Sequence, residues 1–345
     1  MQDSQPAGAW ARPIPKAEIH LHLEGTIELP TLVEVIQRRG QRVDRAARER
    51  LAGLYSHRDF LHFLENFRTL CGSLARPEDY AVITAALSDR LRDESVRYAE
   101  VFCSPGVLAL SGLPADEVLD AVSHTARRRA AEGGPRLRFL LDGVRQLGVG
   151  AQEELVELAD RSRRYDVIGV GMGGDEKSLP ASEFAGAFRE ARRLGLRTTV
   201  HAGEFDGPAS VRQAMEILEV ERIGHGVRAV EDERVVRDLA SRAVPIECCP
   251  TSNIRTGVVR SWADHPLPRL VAMGVRATLN SDDPALFGTS LVGEWETAHA
   301  RLGMPVDAVV RLRMETAAAT FLPQEDKDRL VEEIREAAVR LGVGV

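Results

Sequence analysis

Eight short apolar runs, separated by longer amphipathic ones, leave this chain few folds to choose from. The runs read as strands at Glu18–Leu23, Val96–Cys103, Leu137–Asp142, Val167–Val170, Leu196–His201, Arg222–His225, Val244–Cys248 and Val275–Asn280. Helical spacing falls between them at Thr31–Arg39, Ala115–Ala131, Gln152–Arg164, Ser182–Leu194, Ala209–Leu218, Asp232–Arg242 and Pro266–Met273, and Ser290–Leu302 follows the last strand. Gly195 and Gly274 stand where helix-ending glycines belong. Strand–helix alternation without a fixed repeat predicts an α/β fold, a (β/α)8 TIM barrel. The other arrangement is a doubly wound open sheet. It lacks a G-x-G-x-x-G at a helix start, and Gly169–Gly174 runs into Asp175-Glu176, which would repel a pyrophosphate.

Two stretches exceed the minimal barrel. Residues 56–95 read as two helices, Arg58–Leu70 and Pro77–Arg92, inserted after strand one, and Val306–Leu341 as C-terminal helices, the last starting at Pro323. Residues 1–12 are expected to be a disordered tail and 13–345 a single domain, since 345 residues with 44% apolar content suffice for one large core. The net charge of −7 argues against a nucleic-acid or anionic-membrane partner, and no apolar run reaches the roughly 18–20 residues that span a bilayer. Four cysteines without C-x-x-C spacing and no apolar leader point to the cytoplasm. An oligomer remains compatible with the sequence.

In such a barrel, reactive groups gather at the C-terminal ends of strands. Strand one ends in His20-Leu21-His22, and in a strand residues i and i+2 face the same side. The pair is half of a metal site, or one structural histidine beside an exposed one. Strand four ends in Gly174-Asp175-Glu176, strand five in His201-Ala202-Gly203-Glu204, strand six in His225-Gly226 and strand eight in Ser281-Asp282-Asp283-Pro284. Three imidazoles (His20, His22, His201) and Asp282 suit Zn²⁺ with a position left for water. Glu204 is placed to manage a proton and His225 to orient hydroxide.

These motifs, in this order from Pro15 to Glu296, together with Cys249-Pro250-Thr251-Ser252-Asn253, resemble the adenosine deaminase family of the amidohydrolase superfamily. The resemblance implies one zinc ion on His20, His22, His201 and Asp282. Glu204 then protonates purine N1 as hydroxide attacks C6, His225 and Asp282 hold the attacking oxygen, the Gly174 N–H meets N3 and Asp283 meets N7. Ammonia leaves. His22 and Glu24 also face the substrate, and Phe60 and Leu61 on Arg58–Leu70 belong to a lid over the sugar, or to an ordinary core stripe. Relatives with two metals carry a strand-four lysine; here the nearest, Lys177, lies beyond the strand.

Two departures matter. Glu24 replaces the family's usual Asp, which reaches the ribose 5′-hydroxyl, and Gly171-Met172-Gly173-Gly174-Asp175-Glu176 replaces Asp-Leu-Ala-Gly-Asp-Glu, so the carboxylate at 171 is lost. Ser252–Gly257, by contrast, looks more like bacterial nucleoside deaminases than adenine deaminases. The expected reaction is hydrolytic deamination of a 6-aminopurine nucleoside, with adenosine as the default substrate and water as co-substrate. Aminodeoxyfutalosine, then adenine, are the alternatives. A non-enzymatic binding protein would be expected to have lost a ligand or Glu204, and an ester- or lactone-hydrolysing amidohydrolase fits Glu204 and the Asp282-Asp283 pair less well.

Overall fold

A computed structural model describes residues 10–344 apart from Asp59 and Ser111, and omits the side chains of Phe60, Leu61 and Leu110. Its strands are β1 (Lys16–His22), β2 (Val96–Cys103), β3 (Arg136–Val144), β4 (Val167–Gly173), β5 (Arg197–Ala202), β6 (Arg222–His225), β7 (Ile246–Cys248) and β8 (Ala277–Leu279). All neighbours pair in parallel in the order β1 to β8. The seam between β8 and β1 is narrow: the Asp282 N–H donates to the His20 carbonyl (3.1 Å) and the His22 N–H to the Asp282 carbonyl (3.0 Å). The Ser281 N–H donates to Glu18 and the Ile19 N–H to Asn280 Oδ1. The backbone that closes the barrel therefore also sets Asp282 beside both histidines.

Period-two alternation divides the strands into two faces. Ile19 and Leu21, Val101 and Cys103, Val170 and Met172, and Val200 and Ala202 are fully buried on the apolar faces of their strands. The opposite faces carry Glu18, His20, Glu100, His201, Arg222 and Glu247, also buried. Ion pairs from β2 to β6 and from β6 to β7 cross the barrel through Arg222, so this polar set fills the interior. Packing holds the barrel from outside; its interior is a stack of polar layers leading to the C-terminal end.

Residues 56–95 hold the two expected helices, Phe60–Cys71 and Pro77–Asp93, and a further helix, Arg45–Gly53, precedes them. The unforeseen one buries no residue, so it carries no apolar stripe to read. Short helices also start at Pro105, Pro250 and Pro284, directly after β2, β7 and β8. Helices Val306–Ala319 and Gln324–Arg340 pack under the barrel. The expected disordered tail, residues 1–12, lies outside the described residues as far as position 9. Trp10–Arg12, however, are docked: Ala11 is fully buried, and Trp10 packs against His299 and Arg313. An aromatic with a guanidinium to lie on overrides the polar, Pro/Ala-rich composition around it.

Candidate metal centre and active site

His20, His22, His201 and Asp282 converge at the C-terminal end of the barrel, with one ligand atom from each within 4.8 Å of all the others. Asp282 Oδ1 is 3.5 Å from His20 Nε2 and 3.4 Å from His22 Nε2. His20 Nδ1 lies 2.7 Å from Glu247 Oε2 and His201 Nδ1 3.2 Å from the Met172 carbonyl. Each partner is an acceptor, so each Nδ1 carries the hydrogen and each Nε2 presents its lone pair to the centre. His22 is held by stacking on Phe102, with centroids 4.9 Å apart. His20 Nε2 is buried with no hydrogen-bond partner among the described residues, a loss of about 1–3 kcal/mol that a metal ion would remove. Three imidazoles and one carboxylate form a zinc donor set, and the centre fits one Zn²⁺.

Electrostatics agree with that fit. Burial pushes His22 down to about 4 and His225 to about 3, and His201 well below its ordinary value, so these rings are neutral, as ligands must be. Burial works the same way on His20, but the adjacent carboxylates of Asp282 and Glu247 prevail and raise it to about 10, favouring positive charge at its Nε2. Asp282 lies well below the carboxylate range: burial opposes this, and contacts with His20 and His225 outweigh it. Asp282 also lies near His225 and Cys249. Burial raises the Cys249 thiol far above its ordinary value, so it offers no thiolate. Lys177 is exposed.

The remaining sequence-predicted residues surround a cavity of about 400 Å³ whose wall includes His22, Glu24, Gly174, His201, Glu204, His225, Asp282 and Asp283. A larger concavity, about 690 Å³, lies elsewhere against Trp10, Trp262 and Arg301 and contains none of the zinc ligands. Glu204 Oε2 is 3.6 Å from His225 Nε2, and His225 Nε2 is 3.9 Å from Asp282 Oδ2. Burial, reinforced by Asp282 and Glu176, raises Glu204 well above the carboxylate range, so it holds a proton. Asp283 rises likewise through burial and its neighbour Asp282. Gly25 makes room for it: a Cβ there would lie 1.8 Å from Asp283 Oδ1. Both His225 (φ 57°) and Asp282 (φ 64°) adopt the left-handed region, a backbone cost of about 1–3 kcal/mol each that recurs at functional positions.

Glu24 lies in one turn of 3₁₀ helix, buried, and accepts a long hydrogen bond from Tyr80 Oη (3.4 Å); burial lifts its pKa to about 7. From the inserted helix Phe60–Cys71, Phe63, Leu64, Phe67 and Arg68 line the cavity; the side chains of Phe60 and Leu61, named from sequence, lie outside the described residues.

Several supporting residues escaped sequence reading. Glu176 accepts the backbone N–H groups of Gly203, Glu204, Phe205 and Asp206 and the Ser210 hydroxyl, fixing the loop that carries Glu204. Asn253 Nδ2 donates to His225 Nδ1 (3.2 Å), which leaves the ring hydrogen on Nε2, toward Asp282 and Glu204. Glu247 carries His20 and is itself held by Arg222 Nε (2.6 Å) and Thr199 Oγ1. A lone Glu within the apolar run Val244–Cys248 was the available signal.

A parallel barrel with a mononuclear His₃Asp centre at its C-terminal end defines a metal-dependent hydrolase of the amidohydrolase type. The sequence profile described as adenosine deaminase matches residues 15–337, and the chain belongs to that family. It is 34% identical to an aminodeoxyfutalosine deaminase of Streptomyces avermitilis, over 93% of this chain and 90% of that one. It is 35% identical to an adenine deaminase of Mesorhizobium japonicum, over 94% and 99%. Among solved structures, an amidohydrolase of Burkholderia ambifaria with bound Zn superposes with a TM-score of 0.88 at 26% identity, over 98% of this chain and 95% of that one. The chain is thus a hydrolase of amidine C–N bonds that deaminates a 6-aminopurine-like substrate. Among the described residues no helix is long and apolar enough to cross a membrane.

Proposed function

We propose that this protein hydrolytically deaminates a 6-aminopurine nucleoside, and one extended at the 5′ position in preference to adenosine itself. The observation that carries this reading is the cavity's polarity. Its inner end holds the zinc ligands, Glu204 and Asp283; its outer wall is apolar (Phe63, Leu64, Phe67, Phe287), and Arg68 is exposed at its edge. An aminopurine suits the inner end, and a 5′ substituent ending in an anion suits the outer one. Aminodeoxyfutalosine, whose 5′ substituent is an aryl carboxylate, is the first substrate to test, in keeping with the name of the Streptomyces relative. The four cysteines are buried and unpaired, which suits a cytoplasmic enzyme.

His20, His22, His201 and Asp282 would hold a zinc ion, which when bound would supply a Lewis acid that lowers the pKa of water toward neutrality. Protonated Glu204 gives its proton to purine N1, so that C6 accepts the water oxygen and becomes tetrahedral. His225 donates through Nε2 and Asp282 accepts, which orients the attacking water. The Gly174 N–H and protonated Asp283 donate to N3 and N7 and fix the ring. One water proton passes to the amine, which departs as ammonia, and the other returns to Glu204 as the C6 oxygen becomes the carbonyl of a 6-oxopurine.

The test compares kcat/KM of zinc-loaded protein on adenine, adenosine, 5′-methylthioadenosine and aminodeoxyfutalosine. The expected maximum is aminodeoxyfutalosine, and Arg68→Ala should lower that value about two- to fivefold while sparing adenosine. A maximum on adenine would reject the nucleoside reading.

A further inference from the structure

On β4 the alternate positions 169, 171 and 173 are all glycine. The space beside the last two is taken by Asp142 of β3, whose register partner is Gly171. A Cβ at Gly171 would lie 2.7 Å from Asp142 Oδ1 and 2.9 Å from the Phe102 ring; one at Gly173 would lie 3.2 Å from Asp142 Oδ2. Any side chain at 171 therefore displaces the Asp142 carboxyl. Asp142 is 5% exposed, lines the 400 Å³ cavity, and its Oδ1 has no hydrogen-bond partner among the described residues. Buried carboxyl oxygens are kept because something donates to them. Oδ1 is shielded beside Gly171, which leaves Oδ2 as the oxygen of this carboxyl that meets whatever fills the cavity. The family pattern has an aspartate at position 171, where this chain has glycine. Here the glycines of β4 clear the place of the Asp142 carboxyl.

We propose that Asp142 is a substrate-binding residue that hydrogen-bonds a sugar hydroxyl of the nucleoside. This rests on the nucleoside reading above. The chemistry narrows the donor. Purine N1, N3 and N7 accept rather than donate, and the 6-amine is the leaving group at the zinc. In the proposed mechanism Glu204, the Gly174 N–H and Asp283 already serve N1, N3 and N7. A neutral O–H of the sugar remains.

The experiment assays zinc-loaded Asp142→Ala on adenosine, 2′,3′-dideoxyadenosine and adenine, with zinc content and Tm measured in parallel. For adenosine, kcat/KM should fall about 2–10-fold, the worth of one hydrogen bond. The fall should appear mainly in KM. Turnover of adenine and dideoxyadenosine should hardly change, and zinc should stay stoichiometric. Equal losses on adenine and adenosine, loss of zinc, or no loss at all would overturn the proposal. If Asp142→Ala does not fold, the relocated pair Asp142→Gly/Gly171→Asp decides: it should recover adenosine turnover relative to Gly171→Asp alone, and no recovery counts against the role. Wild-type protein active on adenine but inert on every nucleoside would reject the nucleoside reading itself. Nucleoside turnover indifferent to Asp142 would reject only this inference.

Discussion

Glu204 and Glu247 are the same residue type, both buried in the barrel, and they sit in opposite charge states. Glu247, on the floor of the site, accepts from Arg222 Nε (2.6 Å), His20 Nδ1 and Thr199 Oγ1. Burial alone would raise its pKa, but Arg222 and then His20 hold it below the usual carboxylate range. Glu204, at the mouth, has acids for neighbours, Asp282 and Glu176, and burial there acts with them rather than against a guanidinium. Desolvation is common to both; the placement of a single cation separates an anionic buttress from a proton carrier. Arg222 also pairs with Glu100 (2.5 Å), donates to the Ala319 carbonyl and lies 3.7 Å over the Phe321 ring, so the C-terminal helices lock the floor.

The largest effect expected from this contrast is at the mouth. Glu204→Gln keeps the shape and the zinc but removes the transferable proton; kcat should fall about 10²–10⁴-fold with metal content unchanged. Near-normal turnover, or zinc lost in proportion to activity, would break the assignment. The floor should fail differently. Glu247→Gln weakens the orientation of His20, so zinc affinity should drop about 10–100-fold, read by competition with a chelator. Excess zinc should restore much of the activity. A Glu247→Gln protein that binds zinc normally yet stays inactive would show that the two glutamates do not divide the work in this way.

How far these roles could be read from the chain follows from what each residue does. That His20, His22, His201, Asp282 and Glu204 come together was legible because strand ends concentrate chemistry, and because His20 and His22 share a face by period alone. Glu247 and Asp142 lay inside the expected strands Val244–Cys248 and Leu137–Asp142, where a lone acid looks like a break in an apolar run. Their meaning depends on partners 25 and 29 residues away in sequence, Arg222 and Gly171, which only the barrel brings alongside. Glu176 stood in a recognised motif, but its four backbone N–H partners belong to another strand's loop. Helix Arg45–Gly53 was missed for the opposite reason: it buries nothing, so no periodicity betrays it.

Glu18 sharpens the comparison because it is half of each case. Like Glu247 it is buried and structural: its Oε1 accepts the Ser281 N–H (3.0 Å) and the Ser281 hydroxyl, which pins the β8 end to β1. Like Glu204 it forms no ion pair with a Lys or Arg among the described residues, Arg90 acting on it only from a distance, and its Oε2 has no hydrogen-bond partner among them. Burial therefore dominates over the Ser281 hydrogen bonds, and its pKa rises from 4.5 to about 7. A carboxyl with a raised folded-state pKa binds its proton more tightly in the native state. Its contribution to stability is complete below pH 4.5, declines between there and about 7, and is lost above. Glu18→Gln is neutral at every pH and retains an oxygen for Ser281. The variant should therefore gain on wild type as pH rises, by about 1–3 kcal/mol at pH 8 relative to pH 5. The measurement is the difference in denaturant-unfolding free energy between variant and wild type at the two pH values, both zinc-loaded, so that proton competition at the metal ligands cancels. A difference that does not grow with pH would mean that Glu18 is ionised in the folded barrel despite its burial. A bond network without a cation would then be enough to hold a buried carboxylate, and Arg222 would not be what separates Glu247 from Glu204.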